Sequence, residues 1–120
     1  KDEAAAQKLL DDAKAIAEAG VFAIVLECVP SALAKKVTEA VDVPTIGIGA
    51  GADCDGQILV YQDMIGMFSD FTPKFVKRYA NIGEAMKAAF KGYIDEVCGG
   101  AFPAPEHGYG ISNEVIEKLY

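Results

Sequence analysis

The chain has 120 residues, a net charge of −7 and a hydrophobic fraction of 52%, enough for one modest domain with a core of its own. The acidic residues are scattered and no basic patch opposes them, which speaks against nucleic acid as a partner. The longest apolar stretch, Val21–Leu26, is far short of the ~20 residues that a membrane helix needs.

The chain opens on Lys-Asp-Glu and runs straight into a helical pattern, without the order of a secretory signal. The cysteines are Cys28, Cys54 and Cys98, widely spaced and with no C-x-x-C. That usage fits a reducing compartment, and a cytoplasmic protein is expected. Cys28 reads as a small apolar filler at a strand end, because no activating histidine lies near it in sequence.

The first helix is expected over Asp2–Ala19, with Leu9, Leu10, Ala13, Ile16 and Ala17 on one stripe. Gly20 stands where a glycine ends a helix. Val21–Leu26 reads as a strand apolar on both faces, covered on both sides as in a parallel sheet, and it runs into Glu27. Pro30 and Ser31 open a second helix, with Ser31 as its cap and Leu33, Val37 and Ala40 on its buried side. Pro44–Ile48 is a second strand, flowing into the glycine-rich loop Gly49-Ala50-Gly51.

A third strand is expected over Gln57–Gln62, then a long loop through Met64–Pro73 with at most one helical turn. A short helix is expected over Lys74–Tyr79. Asn81-Ile82-Gly83-Glu84 matches a capping box that starts a further helix. Met86, Ala89, Phe90, Tyr93, Ile94 and Val97 share one face of that helix, and Gly99-Gly100 ends it. Residues 101–120 form an extended tail, rich in Pro and Gly as far as Gly110, with a last short helix over Asn113–Leu119.

Alternating strands and helices, with strands apolar throughout, predict a parallel α/β architecture. Three strands are too few for a closed (β/α)₈ barrel, which takes roughly 250 residues. The chain is therefore expected to belong to something larger, with a missing N-terminal segment or a companion chain completing the sheet.

In such barrels the working groups sit at the C-terminal ends of strands. Glu27 is at such an end, where apolar neighbours would desolvate the carboxylate and make it a useful proton acceptor. An equal alternative is a helix-start carboxylate that favours the N–H groups after Ser31. Gly47-Ile48-Gly49-Ala50-Gly51 could bring backbone N–H groups close to a ligand, or form a tight structural turn. It is not a dinucleotide fingerprint, since Ala52 stands where a glycine is required. Asp53 and Asp55 lack the rest of a calcium loop, and with Asp63 they read as turn and cap formers. His107, the only histidine, reads as a local hydrogen-bonding residue in the tail.

Taken together and in order, several blocks resemble the ketopantoate hydroxymethyltransferase family. They are Val25-Leu26-Glu27-Cys28-Val29-Pro30, Pro44-Thr45-Ile46-Gly47-Ile48-Gly49-Ala50-Gly51, Cys54-Asp55-Gly56-Gln57-Ile58-Leu59-Val60, Pro73-Lys74-Phe75, Phe102-Pro103 and Glu106-His107. The resemblance runs from about Asp2 to Gly110. It implies the C-terminal part of one (β/α)₈ barrel domain, about strands six to eight with their helices.

It also implies hydroxymethyl transfer from 5,10-methylenetetrahydrofolate to 3-methyl-2-oxobutanoate, giving 2-dehydropantoate in pantothenate and coenzyme A biosynthesis. Glu27 matches the glutamate that accepts the C3 proton. Gly49 and Gly51 are candidates for substrate contact. A Mg²⁺ ion is implied as the keto-acid chelator, a charge that would acidify C3–H and stabilise the enolate. Its ligands are expected in the missing N-terminal part, with none in this chain. A homo-oligomer, commonly a decamer, is implied as well. The alternatives are a non-catalytic half-barrel fragment, and a related barrel enzyme making or breaking C–C bonds in small 2-oxo acids.

Overall fold

The computed structural model describes residues 2–67 and 71–119. The chain divides into two compact units, residues 1–81 and 82–120.

In the first unit, α1 (Glu3–Glu18) starts on Asp2, whose side chain accepts a hydrogen bond from the Ala5 N–H at 2.8 Å. That contact satisfies one of the orphan donors of the first turn. Gly20 follows the helix in the left-handed region (φ 88°), and its N–H donates to the Ala17 carbonyl, as its sequence position foretells. Next come β1 (Ile24–Glu27), α2 (Ser31–Ala40), β2 (Thr45–Ile48), the two-residue β3 (Gly56–Gln57) and a single helical turn, α3 (Tyr61–Met64). The three strands lie in the order β1-β2-β3 and are parallel, with Leu26 opposite Gly47 and Glu27 opposite Ile48. Parallel strands joined by a helix make the α/β class plain.

The core lies on one face of the sheet. Ile24 and Leu26 of β1 pack with Ala13 of α1, Ala34 and Val37 of α2, and Val29 and Ala50 from the loops. Val37 is fully buried, a burial worth about 1.5–3 kcal/mol. On α2 the buried positions are Ala34 and Val37, with Leu33 beside them, while Ala40 is exposed and does not belong to the expected stripe.

Other expectations are corrected. The first strand begins at Ile24, not Val21, and it includes Glu27. Its ladder starts where the Ile24 N–H donates to the Pro44 carbonyl; proline has no N–H to carry the pairing further back. Nor is this strand covered on both faces: Val25 is 57% exposed, so this face is open at β1, while Ile48 of β2 on the same face is buried. Ser31 is not a side-chain cap. Pro30 holds the N-cap position, and its carbonyl accepts the N–H groups of Leu33 and Ala34.

The third strand stops at Gln57, because the Val60 carbonyl accepts from the N–H groups of Asp63 and Met64 and turns the chain into α3. Residues 74–79 are not helical. A turn closes between the Val76 N–H and the Pro73 carbonyl, and the Tyr79 N–H then donates to Met64 at 2.8 Å. Part of the expected loop, residues 68–70, lies outside the described residues.

In the second unit, α4 spans Ile82–Gly99, starting where the capping-box sequence sets it. Gly100 follows in the left-handed region (φ 75°). Phe90, Tyr93, Ile94 and Val97 leave an exposed apolar stripe along this helix. The tail is not wholly extended: Pro105–His107 forms a 3-10 turn. The Phe102 ring lies 5.6 Å from Tyr93 and 5.0 Å from His107, and the Phe102–Pro103 bond is cis. The final segment is helical over Asn113–Ile116 (α5) and tightens to a 3-10 turn over Glu117–Leu119. Among the described residues, no helix is long and apolar enough to cross a membrane.

Candidate active site

The C-terminal ends of β1 and β2 define one rim of the first unit. Side chains alternate across a strand, so Ile24 and Leu26 face the helices while Val25 and Glu27 face the other side. Glu27 is exposed, so the described residues do not supply the desolvation expected of it.

Cys28 comes next, with φ 54°. A non-glycine residue in the left-handed region is uncommon and costs of order 1–3 kcal/mol, a strain that gathers at functional sites. Here it turns the chain sharply out of β1 while the Cys28 N–H still donates to the Ile48 carbonyl at 2.9 Å. The carboxylate is thus pinned at the last strand position by pairing on its own side and on the next residue. Val29, with 9% of its surface exposed, anchors the turn in the core.

The glycine loop after β2 has a physical reason in this chain's own side chains. Gly49 (φ 68°) lies under Phe75, whose ring carbon would be 2.7 Å from an added Cβ. Gly51 (φ 86°) lies against Ser31, whose Cβ and Oγ would each be 2.5 Å away. Gln57 Nε2 donates to the Gly51 carbonyl at 2.8 Å and holds the loop from β3. The first three motif blocks and the Pro-Lys-Phe block therefore meet at one place.

A cleft of about 900 Å³ opens there. Cys28, Gly49 and Gly51 line it together with Ile58, Met64 and Phe75, and so do Lys74, Lys77 and Tyr79. Glu27 is not among its lining residues, so the carboxylate stands next to the cleft rather than inside it. The Lys77 ammonium lies 5.0 Å from the centre of the Tyr79 ring. Sequence reasoning quoted Lys74 only within a motif and passed over Lys77 and Tyr79. The signal available was a run of cations in an acidic chain.

The remaining candidates fall elsewhere. Asp55 is not a turn former: its Oδ2 accepts the Thr45 N–H at 2.8 Å and the Thr45 hydroxyl at 3.1 Å. Thr45 is fully buried, and Thr38 Oγ1 lies 2.8 Å from its hydroxyl, so Asp55 ties the start of β2 to α2. The backbone N–H of Thr45, then its hydroxyl, hold the Asp55 carboxyl below its usual pKa. Asp53 faces Lys35 at 3.8 Å, an exposed pair, and Asp63 lies within α3. His107 Nδ1 accepts the Ala104 N–H at 3.1 Å, a local bond within the tail. Among the described residues, no group of three or more His, Cys, Asp or Glu side chains converges to hold a metal ion.

Comparison with known proteins adds to this geometry. Residues 1–105 match the family model described as ketopantoate hydroxymethyltransferase. A protein of Clostridium novyi is 66% identical over 120 residues, and one of Enterococcus faecalis is 63% identical over the same length. Both alignments take in 100% of this chain and 44% of the relative. A third, of Clostridioides difficile, is 60% identical over 115 residues, which is 96% of this chain and 42% of that protein. All three relatives carry the name 3-methyl-2-oxobutanoate hydroxymethyltransferase. The chain thus spans less than half the length of the curated relatives that it matches.

Proposed function

Because this chain belongs to the ketopantoate hydroxymethyltransferase family, we propose that it is part of an enzyme moving a hydroxymethyl group from 5,10-methylenetetrahydrofolate to 3-methyl-2-oxobutanoate. The product is 2-dehydropantoate, on the way to pantothenate and coenzyme A. In this reading the Glu27 carboxylate takes the proton from C3 of the keto acid, leaving an enolate. The enolate carbon attacks the one-carbon unit, a C–C bond forms, the C–N bonds to the folate break, and water supplies the hydroxyl oxygen. The carrying observation is the station of Glu27: the last residue of β1, on the sheet face open at Val25, one residue before the Cys28 turn that lines the cleft.

The Mg²⁺ ion that the resemblance implies does not fit the described residues, which offer no converging ligand group. Its ligands belong to the remainder of the protein, and the part assigned to this chain is proton transfer at Glu27. The sheet face left open at Val25 and Glu27 fits a segment of a closed (β/α)₈ barrel, whose interior that face would line. The parallel α/β class is what the fold carries, and a place for its three strands at about six to eight rests on the resemblance alone. Reading the gene on both sides of this segment decides their place: several preceding βα units put them there, and a long following stretch puts them at the front. The exposed apolar stripe on α4 suits a homo-oligomer, a decamer by resemblance, and a cytoplasmic enzyme is the accompanying expectation.

The deciding experiment is exchange of the C3 proton of 3-methyl-2-oxobutanoate for deuterium by the complete protein with Mg²⁺. Exchange that survives Glu27→Gln unchanged removes Glu27 as the base. A panel of other small 2-oxo acids separates this activity from that of a related barrel enzyme. A second reading, a non-catalytic half-barrel, is favoured by one observation, the lack of a metal-ligand group among the described residues. Mg²⁺-dependent binding of the keto acid to the chain alone counts heavily against it.

A further inference from the structure

We propose that Lys74 and Lys77 dock the anionic glutamate tail of the folate cosubstrate, with the apolar wall of the same cleft taking its aromatic portion. This rests on the transferase reading given above. Size is the first argument. A cleft of about 900 Å³ lies near the top of the range of roughly 300–1,000 Å³ that holds drug-sized ligands. The keto acid is a small branched molecule and fills only a fraction of it. The other reactant is large, flat and aromatic at one end and carries carboxylates at the other.

The lining has the same polarity. Ile58, Met64 and Phe75 give an apolar wall, and Lys74 and Lys77 line the same cleft. Among the described residues neither lysine makes an ion pair, in common with Lys14 and Lys118, but of these four only Lys74 and Lys77 line this cleft. In a chain of net charge −7, two cations lining a cleft offset a field that would otherwise repel an anion. Position completes the argument. Cys28, one residue after Glu27, lines the same cleft as both lysines, so a ligand held by them shares a wall with the turn that follows the carboxylate.

The test uses the complete enzyme, wild type and Lys74→Gln/Lys77→Gln, with 5,10-methylenetetrahydrofolate bearing one or three glutamates. Wild type is expected to show a lower KM for the triglutamyl form. The double variant is expected to lose that preference, with KM for the triglutamyl form rising by up to about tenfold, the upper limit for two exposed ion pairs. Deuterium exchange at C3 of the keto acid needs no folate, and its rate and keto-acid KM are expected to stay as in wild type. An unchanged folate KM in the variant overturns the proposal. A raised keto-acid KM in the exchange assay overturns it too, because the lysines would then serve the smaller acid. Wild-type protein that shows no exchange at all fails the transferase reading itself, a result separate from either.

Discussion

Replacing Gly51 by alanine tests whether the loop is shaped by its own neighbours. The new Cβ would stand 2.5 Å from both Cβ and Oγ of Ser31 and 3.1 Å from its Cα, in a backbone with φ 86°. The left-handed conformation alone costs a non-glycine residue about 1–2 kcal/mol. Relieving the overlap by shifting Ser31, fixed at the start of α2, adds about 1–2 kcal/mol, in the lower part of the range for overpacking. Gly51→Ala is thus expected to destabilise the protein by roughly 2–4 kcal/mol. Ser31→Gly removes two of the three close atoms, so the same substitution in that background should cost only about 1–2 kcal/mol. The difference is a coupling of about 1–2 kcal/mol, measurable as a double-mutant cycle. Urea unfolding of the complete protein followed by circular dichroism gives it, with all four proteins at one concentration, since oligomer stability depends on it. Equal costs in the two backgrounds would refute the claim that Ser31 makes Gly51 obligatory.

Other consequences can be measured with the same protein. Glu27→Gln should lower C3 deuterium exchange by at least about 10²-fold, while the urea midpoint moves little, because Glu27 is exposed in this chain. Val37→Ala empties a fully buried position between α2 and β1 and should cost about 2 kcal/mol in the same unfolding assay. Asp55 has its folded pKa below the ordinary 3.8, so it contributes stability above that pH and loses it as pH falls through the folded pKa. The stability gap between wild type and Asp55→Asn should therefore close in that acid window, which unfolding curves at stepped pH detect. Thr45→Val should raise the Asp55 pKa only part of the way, since the larger cause is the Thr45 backbone N–H, and a carboxyl carbon titration by NMR reads the shift.

The parts of this fold that were legible in the sequence are those where one local rule suffices. The α1 stripe, the Gly20 stop and the start of α4 follow from spacing and caps, and they hold to within a residue or two. What was not legible depends on the partner. Val21–Leu26 is apolar throughout, yet only Ile24 onward forms a ladder, because the neighbouring strand begins at a proline. Ile58–Tyr61 has the composition of a strand, and short apolar runs cannot be separated from helix by periodicity. Its fate was decided by where the Val60 carbonyl found donors. At the site, Glu27 was visible as a carboxylate closing a strand. A contact such as Phe75 on Gly49 joins residues far apart in sequence and leaves no local pattern.

The clamp on the glycine loop also bears on how freely the pocket can be redesigned. Gly49 and Gly51 are each occluded by a residue from another element, Phe75 in one case and Ser31 in the other. A library that varies the loop alone would sample mostly misfolded proteins. One that varies Gly51 together with position 31, or Gly49 together with position 75, searches paired solutions in which the cleft changes outline while the strand ends stay put. Adaptation to a bulkier acid or a different one-carbon donor would accordingly proceed in coordinated steps, one pair at a time.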